Sequence, residues 1–279
     1  MRNILYLLLL FTLVLSSPEI IGYWEGYDEY SIQPYPIELV SENVTIIQIA
    51  FIAPASPKAP STVSTQWSFG ISTVTYNPRS LRHGIKLLQA RSQRPKILLS
   101  IMDTPQVSWS NVDIEVFSYN LLTLIEDWDL DGVNIDAESS MPYDVYVQTF
   151  ITLVQTLRRY LGPNRLLTYS TYGQTEYDTA ILNVTKQDID ILQTLSYWSN
   201  ATDMISTFEW YGNVMNDTSK IALGFAVNMT NLMTIQQTGH WLATNGYNKT
   251  MLWSLTQDVE AINGYPDGTY IDTMYASLS

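Results

Sequence analysis

Eight short apolar runs alternate with stretches of helical periodicity on a chain of 279 residues that has no cysteine. Together these features predict an α/β protein of one domain, a (β/α)8 TIM barrel. A chain of this length buries roughly 70% of the surface its unfolded state exposes, so its core needs no disulfide or metal. A doubly wound open sheet shares the alternation, but no Gly-x-Gly-x-x-Gly turn follows any of the apolar runs.

Ile20–Trp24 and Val44–Phe51 read as the first two strands, and Leu81, Ile85 and Leu88 then share one helical face. Lys96–Ile101 is the third strand. Val112, Val116, Tyr119, Leu122 and Ile125 predict the next helix, with Asn111 as its N-cap. Gly132–Ile135 follows as the fourth strand. Tyr146, Phe150, Val154 and Leu157 mark a helix that Gly162-Pro163 ends. Leu166–Tyr172, Ile191–Tyr197, Ile221–Val227 and Met251–Leu255 complete the set. Several runs are near-continuous in Ile, Leu and Val, as strands covered on both faces are. Only 23 residues separate Val227 from Met251, too few for a small α+β domain inserted before the last strand.

The N-terminus reads as an export signal. Arg2 precedes the apolar run Ile4–Leu15, and Ser16, Ser17 and Pro18 end it. That run falls short of the ~20 residues a membrane span requires, so residues 1–17 are expected to be a signal peptide and 18–279 the barrel. An uncleaved anchor is the alternative. Six Asn-x-Thr triplets, at Asn43, Asn183, Asn200, Asn216, Asn228 and Asn248, exceed what chance placement gives and predict a glycosylated, secreted protein.

Charge narrows the function. Lys and Arg number 14 against 27 Asp and Glu, a net charge of −13 that repels phosphate backbones and anionic lipids. Nucleic-acid and membrane partners are therefore not expected. With two histidines, His83 and His240, and no cysteine, a thiolate or imidazole metal site is excluded and no cofactor is expected. Six basic residues between Arg79 and Lys96 read as a solvated helix face, or else as a patch for an acidic partner.

The chemistry lies in Asp131-Gly132-Val133-Asn134-Ile135-Asp136-Ala137-Glu138. Alternation along a strand puts Asn134, Asp136 and Glu138 on one face, with Val133, Ile135 and Ala137 opposite. In a barrel the polar face points inward and the run ends at the rim where active sites form. Two carboxyls brought together there raise the pKa of at least one of them, as a general acid requires. A buried structural carboxylate network and a hard-cation site are the other readings of the same residues.

This segment resembles the Asp-x-x-Asp-x-Asp-x-Glu signature of glycoside hydrolase family 18, the chitinase-like (β/α)8 barrels. Three weaker likenesses follow in order. Ala50-Phe51 is similar to the Ala-Phe ending the family's second strand. Leu195-Ser196-Tyr197 resembles its sixth-strand Met-x-Tyr, and Met251-Leu252-Trp253-Ser254 its eighth-strand Met-x-Trp-Ser. The resemblance implies Glu138 as the acid that protonates the glycosidic oxygen, and Asp136 as the group that orients the substrate's 2-acetamido group. Tyr197 would hydrogen-bond the acetamido oxygen and Trp253 would floor the −1 sugar. Asp131 and Asn134 would support them. It implies retention through the substrate's own acetamide, on N-acetylglucosamine-containing glycans such as chitin, peptidoglycan or an N-glycan core. A monomer is expected.

The chain departs from the family pattern in four places. Asn134 stands where the second Asp is usual, Ala137 replaces a bulkier residue, and Trp198 follows Tyr197 where Asp or Asn is usual. Ser-x-Gly-Gly becomes Ser100-Ile101-Met102-Asp103. Trp24 and Trp198, at strand ends, and Phe51 are expected sugar platforms, with Tyr172, Trp67 and Trp109 as weaker ones. A sugar-binding lectin that shares the barrel, and a coat or adhesion protein, are the readings without turnover. Glu138 favours the enzyme.

Overall fold

The computed structural model describes residues 17–26, 35–54, 78–103, 107–139 and 141–279. Trp67 and all but the last residue of the expected leader lie outside them. Within the described residues, no helix is long and apolar enough to cross a membrane.

Eight parallel strands close into a barrel in chain order: β1 (Glu19–Glu25), β2 (Ile46–Ile52), β3 (Lys96–Ile101), β4 (Gly132–Asp136), β5 (Leu166–Thr171), β6 (Ile191–Thr194), β7 (Ile221–Ala226) and β8 (Lys249–Trp253). β8 pairs with β1 through Ile21 and Met251 to complete the ring. The helices α1 (Pro78–Gln89), α2 (Ile114–Asp127), α3 (Tyr143–Leu161), α4 (Glu176–Thr185), α5 (Ala201–Met215) and α6 (Leu232–Thr244) each follow a strand, and α7 (Glu260–Asn263) and α8 (Thr269–Leu278) follow β8. Between β7 and β8 the only helix is α6, so the expected absence of an inserted α+β domain holds.

Strand side chains divide into two cores. Ile47, Ile49, Leu99, Val133, Ile135 and Leu167 point outward and pack under the helices. Ile21, Tyr23, Leu98, Ile191, Ala222 and Met251 fill the barrel itself. The close approach of β4 to β5 demands glycine at position 132, where a Cβ would lie 2.0 Å from the Leu166 carbonyl oxygen. This explains the Asp-Gly pair that opens the polar segment.

Two local expectations shift. Asp113, not Asn111, caps α2, accepting from the Val116 amide at 3.1 Å. The buried face of that helix is Phe117, Leu121 and Ile125, leaving Val116 and Tyr119 exposed. The segment carries two apolar stripes, and the one with Phe117 faces the barrel. The basic run serves the fold: Arg82 pairs with Asp127 at 3.0 Å, and Arg91 donates to the carbonyls of Glu38 and Val40.

Candidate active site

At the C-terminal ends of the strands lies an open cleft of about 280 Å³ lined by Phe51, Met102, Asp136, Glu138, Tyr197, Trp198, Met229 and Trp253. Five of these are site residues expected from sequence outside β2, and Phe51 is a sixth. A larger groove of about 700 Å³ runs between α6 and α8 on the outside of the barrel, remote from this cluster.

β4 builds the centre. Asn134 is wholly buried and uses every hydrogen-bonding valence of its amide. Its oxygen accepts from Tyr23 Oη at 2.9 Å and Ser100 Oγ at 2.7 Å. Its nitrogen donates to Thr168 Oγ1 and Ser170 Oγ, both at 2.9 Å. A neutral amide with four partners occupies the barrel interior without needing a counter-charge. Asn134 thus ties β4 to β1, β3 and β5 directly beneath the carboxyl pair.

Asp136, two residues on, is also buried, and its Oδ1 has no partner among the described residues. Its carboxyl and that of Glu138 share a hydrogen bond. Burial raises the pKa of Asp136 well above the carboxylate range, and the charge and hydrogen bond of Glu138 push it further. Glu138 is raised by desolvation too, while its bond to Asp136 opposes the rise. Burial and the neighbouring carboxyl thus both favour the protonated form of Asp136, whose O–H would donate toward Glu138. Glu138 stands two residues past the strand and is exposed to the cleft, although the protein surrounds much of its carboxyl.

Aromatic rings frame the pair. Trp253 stacks on Phe51 with centroids 5.6 Å apart and meets Tyr23 edge-on at 5.1 Å. Tyr197, almost buried, has its phenol pKa raised by burial first and then by Tyr23, Asp136 and Glu138. Its carbonyl accepts from Thr230 Oγ1 at 3.0 Å, which ties the segment after β6 to the turn after β7. Trp198 is 70% exposed on the rim and packs against Tyr197 at 5.5 Å.

Not every expected residue gathers here. Trp24 alternates with the inward Tyr23, so it lies in the outer core, wholly buried, with Nε1 donating to the Tyr35 carbonyl at 2.7 Å. No sugar reaches it there. Trp109 is likewise buried, edge-on to Phe117. Tyr172 is exposed at the end of β5 but does not line the cleft. Asp131 sits at the opposite end of β4, roughly 16 Å along the strand from Asp136. There it accepts from the Ile97 amide at 2.8 Å and pairs with Arg94, so its support is to the sheet.

Sequence reasoning missed Tyr23, Ser170, Met102 and Met229. Strand alternation carried the signal for the first two, since Tyr23 shares parity with Ile21 and Ser170 with Thr168. It also missed Glu25, buried on the inward side of β1, whose Oε2 accepts from Ser254, from Thr256 at 2.6 Å and from Gln257 at 3.2 Å. That carboxylate fastens the loop that follows Trp253. Among the described residues no group of three or more His, Asp or Glu side chains is placed to hold a metal ion.

Comparison with known families settles the relationship. The model of the endo-β-N-acetylglucosaminidase EndoS TIM-barrel domain matches residues 47–251, well over half of the chain. The chain belongs to this family of glycoside hydrolase family 18 barrels. Solved family 18 barrels superpose on it closely. A chitinase from Bacteroides thetaiotaomicron has a TM-score of 0.72 at 17% identity, covering 94% of this chain and 97% of its own. A family 18 chitinase from Chromobacterium violaceum gives 0.70 at 17%, covering 94% and 83%. A family 18 N-acetylglucosaminidase from Paenibacillus barengoltzii gives 0.67 at 13%, covering 94% and 100%. At these identities the likeness shows a shared barrel. No curated protein matches in sequence.

Proposed function

We propose that this family 18 barrel is a retaining glycoside hydrolase that cleaves the β-1,4 bond following an N-acetylglucosamine unit, with the substrate's acetamide as nucleophile. The observation that carries the reading is the hydrogen-bonded Asp136–Glu138 carboxyl pair at the floor of an aromatic-walled cleft. The unpartnered Asp136 Oδ1 matches the amide N–H of an acetamido group. Once that N–H donates to it, the Asp136 anion is favoured and its proton passes to Glu138, facing the glycosidic oxygen. Glu138 then protonates the leaving group. The acetamide oxygen, held by the Tyr197 hydroxyl, closes on the anomeric carbon, and Asp136 stabilises the positive charge that develops. Water, deprotonated by Glu138, opens the ring intermediate from the same face, so configuration is retained.

Trp253 and Phe51 supply a floor for the sugar at the reacting bond, and Trp198 a platform on the rim. The names of the matching family and of the Paenibacillus enzyme support N-acetylglucosamine as the recognised unit. We also read residues 1–17 as a secretory leader, with N-glycans on the sequons. Asn183, Asn200, Asn216 and Asn228 are exposed and Asn43 and Asn248 half-buried, which is compatible with that reading. Incubation with a labelled N-acetylglucosamine oligomer tests the whole scheme. NMR of the first product is expected to show the β anomer, and an initial α anomer would sink the mechanism while leaving the fold intact.

A further inference from the structure

The segment that carries Glu138 is held from both sides, and one of the holding groups is a carboxylate outside the signature. On the N-terminal side, Ala137 donates its amide to the Ser170 carbonyl at 3.0 Å and accepts from Tyr146 Oη at 2.6 Å. β5 and α3 therefore fix the residue before the acid. On the C-terminal side, Ser139 Oγ donates to Asp103 Oδ2 at 2.6 Å. The same oxygen accepts from the Trp109 amide at 3.2 Å, and buried Trp109 is wedged edge-on against Phe117 of α2 at 5.1 Å. Asp103 is only 9% exposed. It stands two residues past β3, at one of the positions where the Ser-x-Gly-Gly pattern is lost.

We infer that Asp103 is a positioning residue for the general acid: through Ser139 it anchors the far end of the Ala137–Ser139 segment and so sets where the Glu138 carboxyl stands in the cleft. A charge-assisted acceptor suits this task, because bonds to a carboxylate are shorter and stronger than bonds to a neutral group. Burial with no counter-cation among the described residues has a cost, visible in the raised pKa of Asp103, with desolvation as its main cause. A residue kept despite that cost is expected to return it in placement of the group it holds. Without this bond Glu138 hangs from one anchored neighbour and relaxes toward water.

The inference rests on Glu138 as the acid, so its test has one arm that needs no turnover. Four variants are compared with the full chain: Ser139→Ala, Asp103→Ala, Asp103→Asn and the double Asp103→Ala/Ser139→Ala. On an N-acetylglucosamine oligomer, Ser139→Ala and Asp103→Ala are each expected to lower kcat by about 10- to 100-fold, the scale of a small misplacement, with KM changed far less. The double variant should be no worse than either single one, since both break the same link. Asp103→Asn keeps an acceptor oxygen and should recover most of the rate.

The second arm follows the Glu138 carboxyl by ¹³C NMR during a pH titration. Among the described residues the titratable groups facing it are Asp136 on β4, Tyr197 in the segment after β6 and Tyr23 on β1, and all of them stay in place. Ser139→Ala leaves the Asp103 charge but frees the segment, so the Glu138 midpoint should fall toward the ordinary carboxylate range. Asp103→Asn removes the charge but keeps the link, so the midpoint should stay near that of the wild type. A kcat within twofold of wild type in Ser139→Ala, losses that multiply in the double variant, or an unmoved midpoint in Ser139→Ala would each overturn the inference. If Asp103→Asn shifts the midpoint as far as Asp103→Ala does, the effect is charge alone and positioning is wrong. Should the wild type turn over no oligomer, the proposed function fails first, and the titration alone decides whether Asp103 places Glu138.

Discussion

Two layers of the barrel interior, stacked along β4, are polar in opposite ways. In the lower layer Asn134 makes four hydrogen bonds to Tyr23, Ser100, Thr168 and Ser170, and no valence is left over. In the upper layer Asp136 keeps one oxygen without a partner among the described residues and turns the other toward Glu138. Both residues are buried and lie on one face of one strand. A buried polar group with all partners present rigidifies a core, whereas one left short of a partner is destabilised until a ligand supplies it. The contrast separates scaffold from chemistry more sharply than burial or charge does alone. It also explains why Asn is acceptable where related barrels carry Asp, since the site's lower layer needs donors and acceptors in equal number.

The largest effect should come from the upper layer. On the proposed mechanism Glu138→Gln removes the proton donor but keeps size and hydrogen-bonding capacity, so kcat is expected to fall by roughly 10²–10⁴-fold. The melting temperature should hardly change, because Gln keeps an acceptor for the bond from Asp136 and fills the same space beside the cleft. Oligosaccharide affinity, measured by calorimetry, should survive on the aromatic contacts. Near-wild-type turnover would mean that another carboxyl is the acid and that the two layers do not divide as described.

The lower layer should respond in reverse. Asn134→Ala takes a partner from each of four buried polar groups; Tyr23 and Ser170 still have each other and Thr168 still accepts from Gln48, while Ser100 loses its 2.7 Å acceptor. Denaturant unfolding is expected to show a loss of about 2–3 kcal/mol, the cost of a few unmet buried partners. The folded fraction should retain kcat within about tenfold. A variant as stable as the parent but inactive would place Asn134 in the chemistry and erase the comparison.

How much of this was legible in the sequence follows from the same physics. The eight strands were readable because a parallel barrel buries both strand faces, which leaves continuous apolar runs with little room for ambiguity. β4 was the most legible of all, since its polar alternation contradicts that rule and so points to a site. Trp24 was misplaced because an aromatic residue at a strand end looks alike on either face, and only the parity of Tyr23 tells inside from outside. Met102 and Met229 carried no signal, for they reach the cleft from loops whose path the pattern does not constrain. The cap of α2 moved from Asn111 to Asp113 because a short 3-10 turn, Trp109–Asn111, comes before the helix.

A smaller effect, and a global one, is set by pH. Burial raises the pKa values of Asp103, Asp136, Asp178 and Asp258. For a carboxyl raised in the folded state, the folded chain binds more protons than the unfolded one. The stability it contributes is complete below the unfolded value and is lost as pH rises through the folded value. The melting temperature should therefore be higher near about pH 5 than near about pH 8, and the net charge of −13 adds repulsion in the same direction. Asp136→Asn should flatten the slope more than Asn134→Ala does, because only Asp136 titrates. A melting temperature that climbs toward pH 8 would show these carboxyls to be hydrated in solution.

The smallest expected effect sharpens the comparison by carrying it to the outer core. Trp24 and Trp253 are both strand-end tryptophans, but Trp24 is sealed behind β1 while Trp253 faces the cleft. Trp24→Phe removes the Nε1 bond to the Tyr35 carbonyl and leaves a ring in place, so stability should fall by about 1 kcal/mol. Neither kcat nor KM should move, since the ring never meets solvent on the cleft side. Trp253→Phe, by contrast, trims the surface stacked on Phe51 and should raise KM with little change in unfolding free energy. The pair is read together, with steady-state kinetics and denaturant melts on both variants. If Trp24→Phe raises KM as much as Trp253→Phe does, β1 is rotated relative to the register with Tyr23 inside. The Tyr23–Asn134 bond that defines the lower layer would then fall with it.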